Sequence, residues 1–490
     1  MPGTRPIPCP DSPRLRRHLI HAAERLVLAG VMALMACGWM FAMQPPPGGP
    51  PPGGPGPGGP PPRGRMGGPP AEAQSELTEQ VATGIVYKQR NIKLGELPVQ
   101  VQILEVDPAN PAVNILPVHA LDRAAGKELT TSMAKRYGAV AAVNGGYFHV
   151  SGPLAGASTG VYQLNGKVVA SGDKRSALVL CAETGGKELT AVASAEFKGT
   201  VTAAAGAALP LAGMNRPRTD GEAVLYDSTL GTPTPPVAGF EVVVGANGQV
   251  QSTGESAGGT AIPAGGWVIA ASGEGAAWLK EHAKPGTALK LATSLAPVSA
   301  LPGCRPVDWV GAGPRLIRGG KIDLSEGGFN HATGRHPRTA FAVTGEGRFL
   351  FVTLDGRQST SAGMTLAELA GLLHSMGAVE AINLDGGGST TMVINGAIRN
   401  SPSDGRERPV SDAVLVFSVP DFDALDRLVS ALGEGQIEPG PLVLIKAAMA
   451  EAMGSGRTET LAAVVKAAEG KGVSAAAARL LKEAAEGLRK

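Results

Sequence analysis

Two aspartates each close a short apolar run near the middle of the chain. Phe349–Leu354 reads as a strand and stops at Asp355-Gly356-Arg357; Ala381–Leu384 reads as another and stops at Asp385-Gly386-Gly387-Gly388-Ser389-Thr390. A pair of carboxylates is the usual apparatus of glycosidic C–O cleavage, one protonating the leaving oxygen while the other attacks or activates water. Three consecutive residues without Cβ let the backbone turn sharply and offer successive N–H groups to an anion, and Ser389 and Thr390 add hydroxyls, so a phosphate oxygen is a suitable guest. A bare triple glycine is equally a tight structural turn; the Asp before it and the Ser-Thr after it favour a site. Arg338, Arg357, Arg406 and Arg408 are candidates to complete it, because a guanidinium stays charged and grips phosphate through a fixed fork. Arg338 and Arg357 adjoin strand ends in the same region. His331 and His336 flank it as loop histidines without an assigned role.

The elements that must position these groups emerge from periodicity. Between the two aspartates lies Leu366–Met376, whose apolar face is Leu366, Leu369, Ala370, Leu373 and Met376. Thr365 and Glu368 form a capping box and Gly377 supplies the stop. Strand, helix, strand predicts a crossover with two parallel strands and a ligand beyond their carboxyl ends. If those strands are adjacent, at about 4.8 Å, Asp355 and Asp385 can share one ligand. Upstream, Asn144-Gly145-Gly146-Tyr147-Phe148 ends a further strand. Asn144 could bond a sugar hydroxyl or orient a carboxylate, and the two rings could offer an apolar face to a pyranose; a hairpin turn with core aromatics fits those residues as well.

Alternating or apolar runs recur at 99–103, 113–118, 139–143, 177–181, 240–244, 267–271, 315–317 and 339–343, many separated by turn signals such as Asn247-Gly248 and Asn395-Gly396. The expected fold is α+β: a strand-rich mixed-sheet domain with few helices over 83–420. It is followed by a small all-α C-terminal appendage at 421–490, with helical periodicity at 425–432, 442–453, 461–468 and 475–488. That appendage carries no chemical motif, and its removal after Pro420 is expected to spare the site.

Residues 1–44 read as a signal peptide or N-terminal membrane anchor. Arg14, Arg16, Arg17 and Arg25 precede the uncharged run 26–43, close to the ~20 residues a bilayer span needs, and the basic flank places the chain after Met43 outside the cytoplasm. Cleavage, an uncleaved anchor and lipidation at Cys37 are all open. The Pro/Gly-rich stretch 45–80 is a linker, with almost no apolar side chain to pack as far as about Ala73. The formal charge is only +2 in 490 residues, so composition gives no case for nucleic acid as a partner. Cys9, Cys37, Cys181 and Cys304 show no zinc spacing; the last two pair only if the fold brings them together.

Asn144-Gly-Gly-Tyr-Phe148, Arg338-Thr-Ala340, Asp355-Gly-Arg357, Gly363-Met-Thr-Leu-Ala-Glu368 and Asn383-Leu-Asp-Gly-Gly-Gly-Ser389 resemble the motifs of the phosphodiester glycosidase domain family, in that order. Pro402-Ser-Asp-Gly405 and Arg408-Pro-Val410 extend the resemblance. It implies a hydrolase that cleaves a sugar-1-phosphodiester or a polysaccharide containing one, with Asp385 and Asp355 catalytic. The resemblance marks Asn144, Arg338, Asp355, Asp385, Gly386, Gly387, Ser389 and Arg408 as active-site positions; by their chemistry we assign Asn144, Arg338, Arg357, Gly386, Gly387, Gly388, Ser389, Thr390 and Arg408 to substrate binding, with no cofactor expected and a divalent metal left open. Two other readings use the same residues: a metal-dependent phosphodiesterase in which Asp355 and Asp385 hold a hard cation, and a glycan-binding module without turnover.

Overall fold

The computed structural model describes residues 73–182, 188–204, 206–327, 329 and 331–489. The N-terminal apolar run, Cys37 and most of the Pro/Gly stretch lie outside the described residues. Among the described residues, no helix is long and apolar enough to cross a membrane.

The site is carried by two antiparallel sheets whose side chains alternate between two cores. The eight-stranded sheet runs in the order Ala73–Ala82, Ile85–Leu94, Leu97–Val106, Phe349–Leu354, Arg338–Thr344, Ala378–Asn383, Arg315–Arg318, Lys321–Ile322. On one face, Leu104, Phe341, Phe351 and Ile382 meet Ala141, Val143, Met392, Val414 and Val416 of a five-stranded sheet. On the other, Val101, Ile103, Ala340, Ala342, Leu350 and Val352 pack on Leu366, Leu369, Ala370 and Leu373 of the helix Leu366–Ser375. That is the period-two rule of a strand applied to two buried faces. The helix begins at the expected box: Thr365 Oγ1 accepts from Glu368 N at 3.1 Å, and Glu368 Oε2 accepts from Thr365 N at 2.9 Å.

The five-stranded sheet, ordered Ala397–Ile398, Met392–Ile394, Ala141–Asn144, Asp412–Ser418, Val113–His119, repeats the scheme. Its outer face, with Leu116, Val118, Leu415 and Phe417, packs on the helix Thr130–Tyr137 and on the C-terminal helices. The result is four layers: helix, sheet, sheet, helices. Two further sheets, built from 162–311, extend from this sandwich.

One expectation needs correction. The strands leading to Asp355 and Asp385 run parallel to each other, but both are antiparallel to Arg338–Thr344, which lies between them. Their ends are therefore two strand spacings apart, about 10 Å rather than about 4.8 Å. The helices Phe422–Leu432, Pro439–Ser455, Glu459–Ala468 and Ala475–Gly487 follow the sheet domain as expected and pack against it. Leu425, Leu432, Ile445, Leu461, Val465, Leu480 and Leu481 share one core with the Asp412–Ser418 strand. Arg479 also forms an ion pair with buried Asp308 in the Arg305–Gly311 strand. Cys181 and Cys304 are joined as a disulfide, with a Cα–Cα distance of 5.1 Å.

Candidate active site

Antiparallel pairing delivers the sequence motifs to one edge of the sandwich. Arg338 opens its strand opposite Leu354, so Asp355 is one residue beyond that pair. Asn383 pairs with Ala340 on the other side of the same strand, and Asp385 comes two residues later. From the second sheet, Asn144 pairs with Ala413, which sets Gly145 and Gly146 against Asp412.

Asp385 is the centre of this edge. Its backbone is held by the Asn144–Phe148 motif: Asp385 N donates to Gly145 O at 2.9 Å, and Asn144 Nδ2 donates to Asp385 O at 2.7 Å. Asn144 is fully buried, and its Oδ1 accepts from Thr339 Oγ1 at 2.8 Å and Thr391 N at 3.0 Å. It therefore clamps the Asp385 backbone. The carboxylate of Asp385 accepts from Gly386 N at 2.9 Å and from the Ser389 hydroxyl. Burial nonetheless pushes its carboxyl up to about 7; Ser389, Gly386 and Arg408 pull against that, and the nearby Asp412 charge adds to it. A carboxyl so placed exchanges its proton near neutrality.

Asp412 is the residue that the motifs missed. It is buried, accepts from Gly146 N at 2.8 Å through Oδ1 and from the Ser411 hydroxyl through Oδ2, and burial pushes its carboxyl up to about 6. A Cβ on Gly145 would fall 1.8 Å from Asp412 Oδ1, so this glycine is what lets the carboxylate in. The only signal in the sequence is an acid at the head of the seven-residue run Asp412–Ser418, where burial forces it to find partners.

Asp355 stands apart from this pair. It is buried, with Oδ1 accepting from Ser401 N at 2.8 Å and Oδ2 from Gln102 Nε2 at 3.3 Å, while its backbone carbonyl accepts from Ser361 Oγ at 2.7 Å. Burial raises its carboxyl and these donors lower it. Its visible work is to hold the segments around Ser361 and Ser401 to the sheet edge.

The glycine turn differs from an N–H cradle. The N–H groups of Gly386, Gly387, Ser389 and Thr390 already donate to Asp385 Oδ1, Pro337 O, Gly386 O and Gly387 O. The missing Cβ atoms instead make room for arginines. A Cβ on Gly387 would lie 3.1 Å from an Arg357 guanidinium nitrogen, one on Gly388 would lie 2.1 Å from Arg408 Nη2, and one on Gly386 would lie 2.8 Å from Pro337 O and 3.8 Å from Arg338 Cδ. Gly387 also takes φ +63°, where a side chain is strained.

The arginines are held in three ways. Arg338 is buried, and its Nε and Nη2 donate to the carbonyls of Met364, His331 and Gly334 at 2.8–2.9 Å; burial lowers its guanidinium to about 10. Arg357 sits exposed at φ 61°, an uncommon conformation for a non-glycine residue, and its Nε donates to His336 Nδ1 at 3.3 Å. Among the described residues, neither has a carboxylate within ion-pair distance. Arg408 has one, Asp404 at 2.7 Å, and its Nη1 reaches Ser389 Oγ at 3.5 Å. Arg406 is exposed. Among the described residues, Thr390 Oγ1 is buried without a protein partner.

His331, which has no role by sequence, contacts Tyr147: its Nε2 lies 3.2 Å from the Tyr147 hydroxyl, which donates to Gly313 O at 3.0 Å and accepts from Asn383 Nδ2 at 2.6 Å. Burial first, then Arg338, lowers the proton affinity of both His331 and His336. Among the described residues, no three His, Cys, Asp or Glu side chains gather as a metal ion would need.

Comparison with known proteins agrees with this edge. Residues 240–417 match the phosphodiester glycosidase family. Over 93 residues the chain is 40% identical to an uncharacterized SPbeta prophage-derived protein of Bacillus subtilis, covering 19% of this chain and 14% of that one. Over 67 residues it is 45% identical to the N-acetylglucosamine-1-phosphodiester alpha-N-acetylglucosaminidase of Mus musculus, covering 14% of this chain and 13% of the relative. The matches thus span only a small part of these relatives. Two solved structures share the fold over 72% of this chain: a protein from Burkholderia pseudomallei (TM-score 0.62, 24% identity, 98% of that chain) and one from Synechocystis (TM-score 0.60, 23% identity, 64% of that chain). The family match takes in Arg338, Arg357, Asp385, the glycine turn, Arg408 and Asp412, whereas Asn144 precedes it. Residues 240–417, and with them most of this edge, thus resemble the phosphodiester glycosidase family.

Proposed function

We propose that the protein hydrolyses the C1–O bond of a sugar-1-phosphodiester, with Asp385 as the proton-transferring carboxylate. The observation that carries the reading is the position of Asp385, between buried Asp412 and a glycine turn ringed by Arg338, Arg357 and Arg408. The departing group is a phosphomonoester, whose second pKa is about 6, so it leaves as an anion and needs stabilising charge more than a proton. Arg357 and Arg408 supply that charge at the turn. Asp385, ionised above about 7, takes a proton from the attacking water. The water oxygen bonds to C1, the C1–O bond breaks, and its electron pair stays on the phosphate oxygen. Free sugar and a phosphomonoester are the products. Asp412 raises the proton affinity of its neighbour, and Asp355 positions the 401 segment. The name of the mouse relative makes N-acetylglucosamine the first sugar to offer.

The same reading makes this an exported protein, facing outside the cytoplasm on its N-terminal segment or released from it. The Arg-flanked apolar run and the Cys181–Cys304 disulfide support that placement, since disulfides persist in oxidising compartments. Cell fractionation and N-terminal sequencing of the mature protein test it; an intact Met1 in the cytosolic fraction contradicts it.

The activity is tested by incubating the full chain with a synthetic N-acetylglucosamine-1-phosphodiester, with and without chelator. Free sugar plus phosphomonoester in both arms supports the reading. Sugar 1-phosphate as the product, or turnover abolished by chelator, overturns it.

A further inference from the structure

Arg408 reaches the glycine turn from a stretch outside any helix or strand, residues 401–409, and a side chain on such a stretch is held in place only where something moors the backbone. One end is fastened at Ser401, whose N donates to Asp355 Oδ1 at 2.8 Å and whose carbonyl accepts from Gln358 Nε2 at 2.9 Å. The other end is fastened at Val410, which exchanges backbone hydrogen bonds with Glu128 at 2.8 and 2.9 Å. Between these moorings the chain forms a strap across the sheet edge.

Glu407 fastens the strap beside Arg408. Its Oε1 accepts from Thr131 N at 2.9 Å and its Oε2 from Thr131 Oγ1 at 2.6 Å. Thr131 is the second residue of the helix Thr130–Tyr137, and the N–H groups of a first turn have no partner within their own helix. Leu129, which precedes that helix, supplies no side-chain cap. Glu407, 276 residues further along the chain, takes the part of the cap, and its negative charge suits the positive end of the helix dipole.

That mooring aims Arg408. Pro409 disfavours helical backbone at the residue before it, and in extended backbone successive side chains point to opposite sides. With Glu407 turned to the helix, Arg408 turns to the glycines. Its Nη1 reaches Ser389 Oγ at 3.5 Å, and its Nε donates to Asp404 Oδ2 at 2.8 Å. The fit is close: a Cβ on Gly388 would fall 2.1 Å from Arg408 Nη2 and 2.3 Å from Asp404 Oδ2.

We propose that Glu407 is a positioning residue for phosphate binding: by capping the Thr130–Tyr137 helix it fixes the strap and, through it, the Arg408 guanidinium over Gly388. Glu407 itself touches no reacting atom. The assignment rests on the phosphate lying at the arginine-ringed turn, and it is independent of which bond is then cleaved.

The test reads binding, separately from turnover. The full chain and its variants are titrated with inorganic phosphate by calorimetry. Arg408→Ala and Glu407→Ala should each weaken binding about tenfold. The double variant should be no weaker than Arg408→Ala alone, because one residue acts through the other. Thr131→Val removes one of the two bonds to Glu407 and keeps the backbone N–H, so it should give a smaller loss in the same direction. Glu407→Gln keeps an oxygen for Thr131 N and should stay within about threefold of wild type. A merely structural Glu407 would lower the melting temperature and leave phosphate affinity unmoved. The proposal is overturned if Glu407→Ala and Thr131→Val both leave the affinity unchanged, if the losses from Glu407→Ala and Arg408→Ala add, or if the wild-type chain binds no phosphate. Should the binding pattern hold while the phosphodiester yields no free sugar, the catalytic reading falls and Glu407 keeps its role.

Discussion

The glycine turn and the cleft of about 820 Å³ lined by Tyr147, Asp173, Lys174, Arg175, Glu196 and Arg216 hold their cations differently. At the turn, Arg338 and Arg357 have no carboxylate partner among the described residues, Arg408 is paired with Asp404, and Asp385 is held short of full ionisation at neutral pH. In the cleft, every lining lysine and arginine has its acid. An unpaired guanidinium stores attraction for an anion, whereas a paired one presents only local dipoles.

The crudest way to break the comparison is to remove what holds both regions. Truncation after Pro420 strips the helices from the outer face of the Asp412–Ser418 strand. The seven buried side chains Leu425, Leu432, Ile445, Leu461, Val465, Leu480 and Leu481 contribute roughly 1.5–3 kcal/mol each, together about 10 kcal/mol or more. That matches the whole stability of a typical domain, about 5–15 kcal/mol. The truncated chain should lose cooperative unfolding in a thermal melt, along with phosphate binding. A folded, active truncate would return the helices to the status of an appendage.

A finer break is Asp385→Asn. It should lower kcat by about 10²–10⁴-fold while phosphate binding persists. The same variant carries a stability signature. The folded carboxyl titrates near 7 against an ordinary 3.8, so its contribution is full below 3.8 and is lost as pH rises toward 7. Asn cannot ionise, so the variant should melt higher than wild type at pH 8, with that difference vanishing near pH 3.5. A lower melting temperature at pH 8 would mean that Asp385 is stabilised as a carboxylate.

Arg357→Ala sharpens the contrast without touching the carboxylates. It removes one unpaired cation from the turn and should raise KM for a phosphodiester about tenfold, with kcat largely kept. The smallest effect expected is a shift in the pH profile. Asp412→Asn keeps an oxygen for Gly146 N but removes a negative charge, so the ionisation of Asp385 and the accompanying rise in activity should move to lower pH. An unmoved profile would remove Asp412 from the tuning of the site.

Much of this edge was legible in the residues, and what was hidden was hidden for one reason. The Leu366–Ser375 helix was readable because its capping box, apolar stripe and stop are local, and the strands were readable because alternation is local. Adjacency is not. Nothing near Asp355 or Asp385 says that Arg338–Thr344 inserts between their strands, and so the expectation of a shared ligand fails by one strand width. Asp412 escaped notice for the same reason, since its defining contact, Gly146 N, is 266 residues away in sequence. The glycines were read for their N–H groups; only the arginines packed against Gly387 and Gly388 reveal that absent side chains are what the turn requires.

The central claim is that the bond broken is C1–O and not P–O, and isotope placement tests it most directly. Hydrolysis of a sugar-1-phosphodiester in ¹⁸O-enriched water, with mass spectrometry of both products, locates the attacking oxygen. The account predicts the label in the free sugar and none in the phosphomonoester. Label in the phosphate would mean attack at phosphorus, and the role given to Asp385 at the sugar carbon would be wrong.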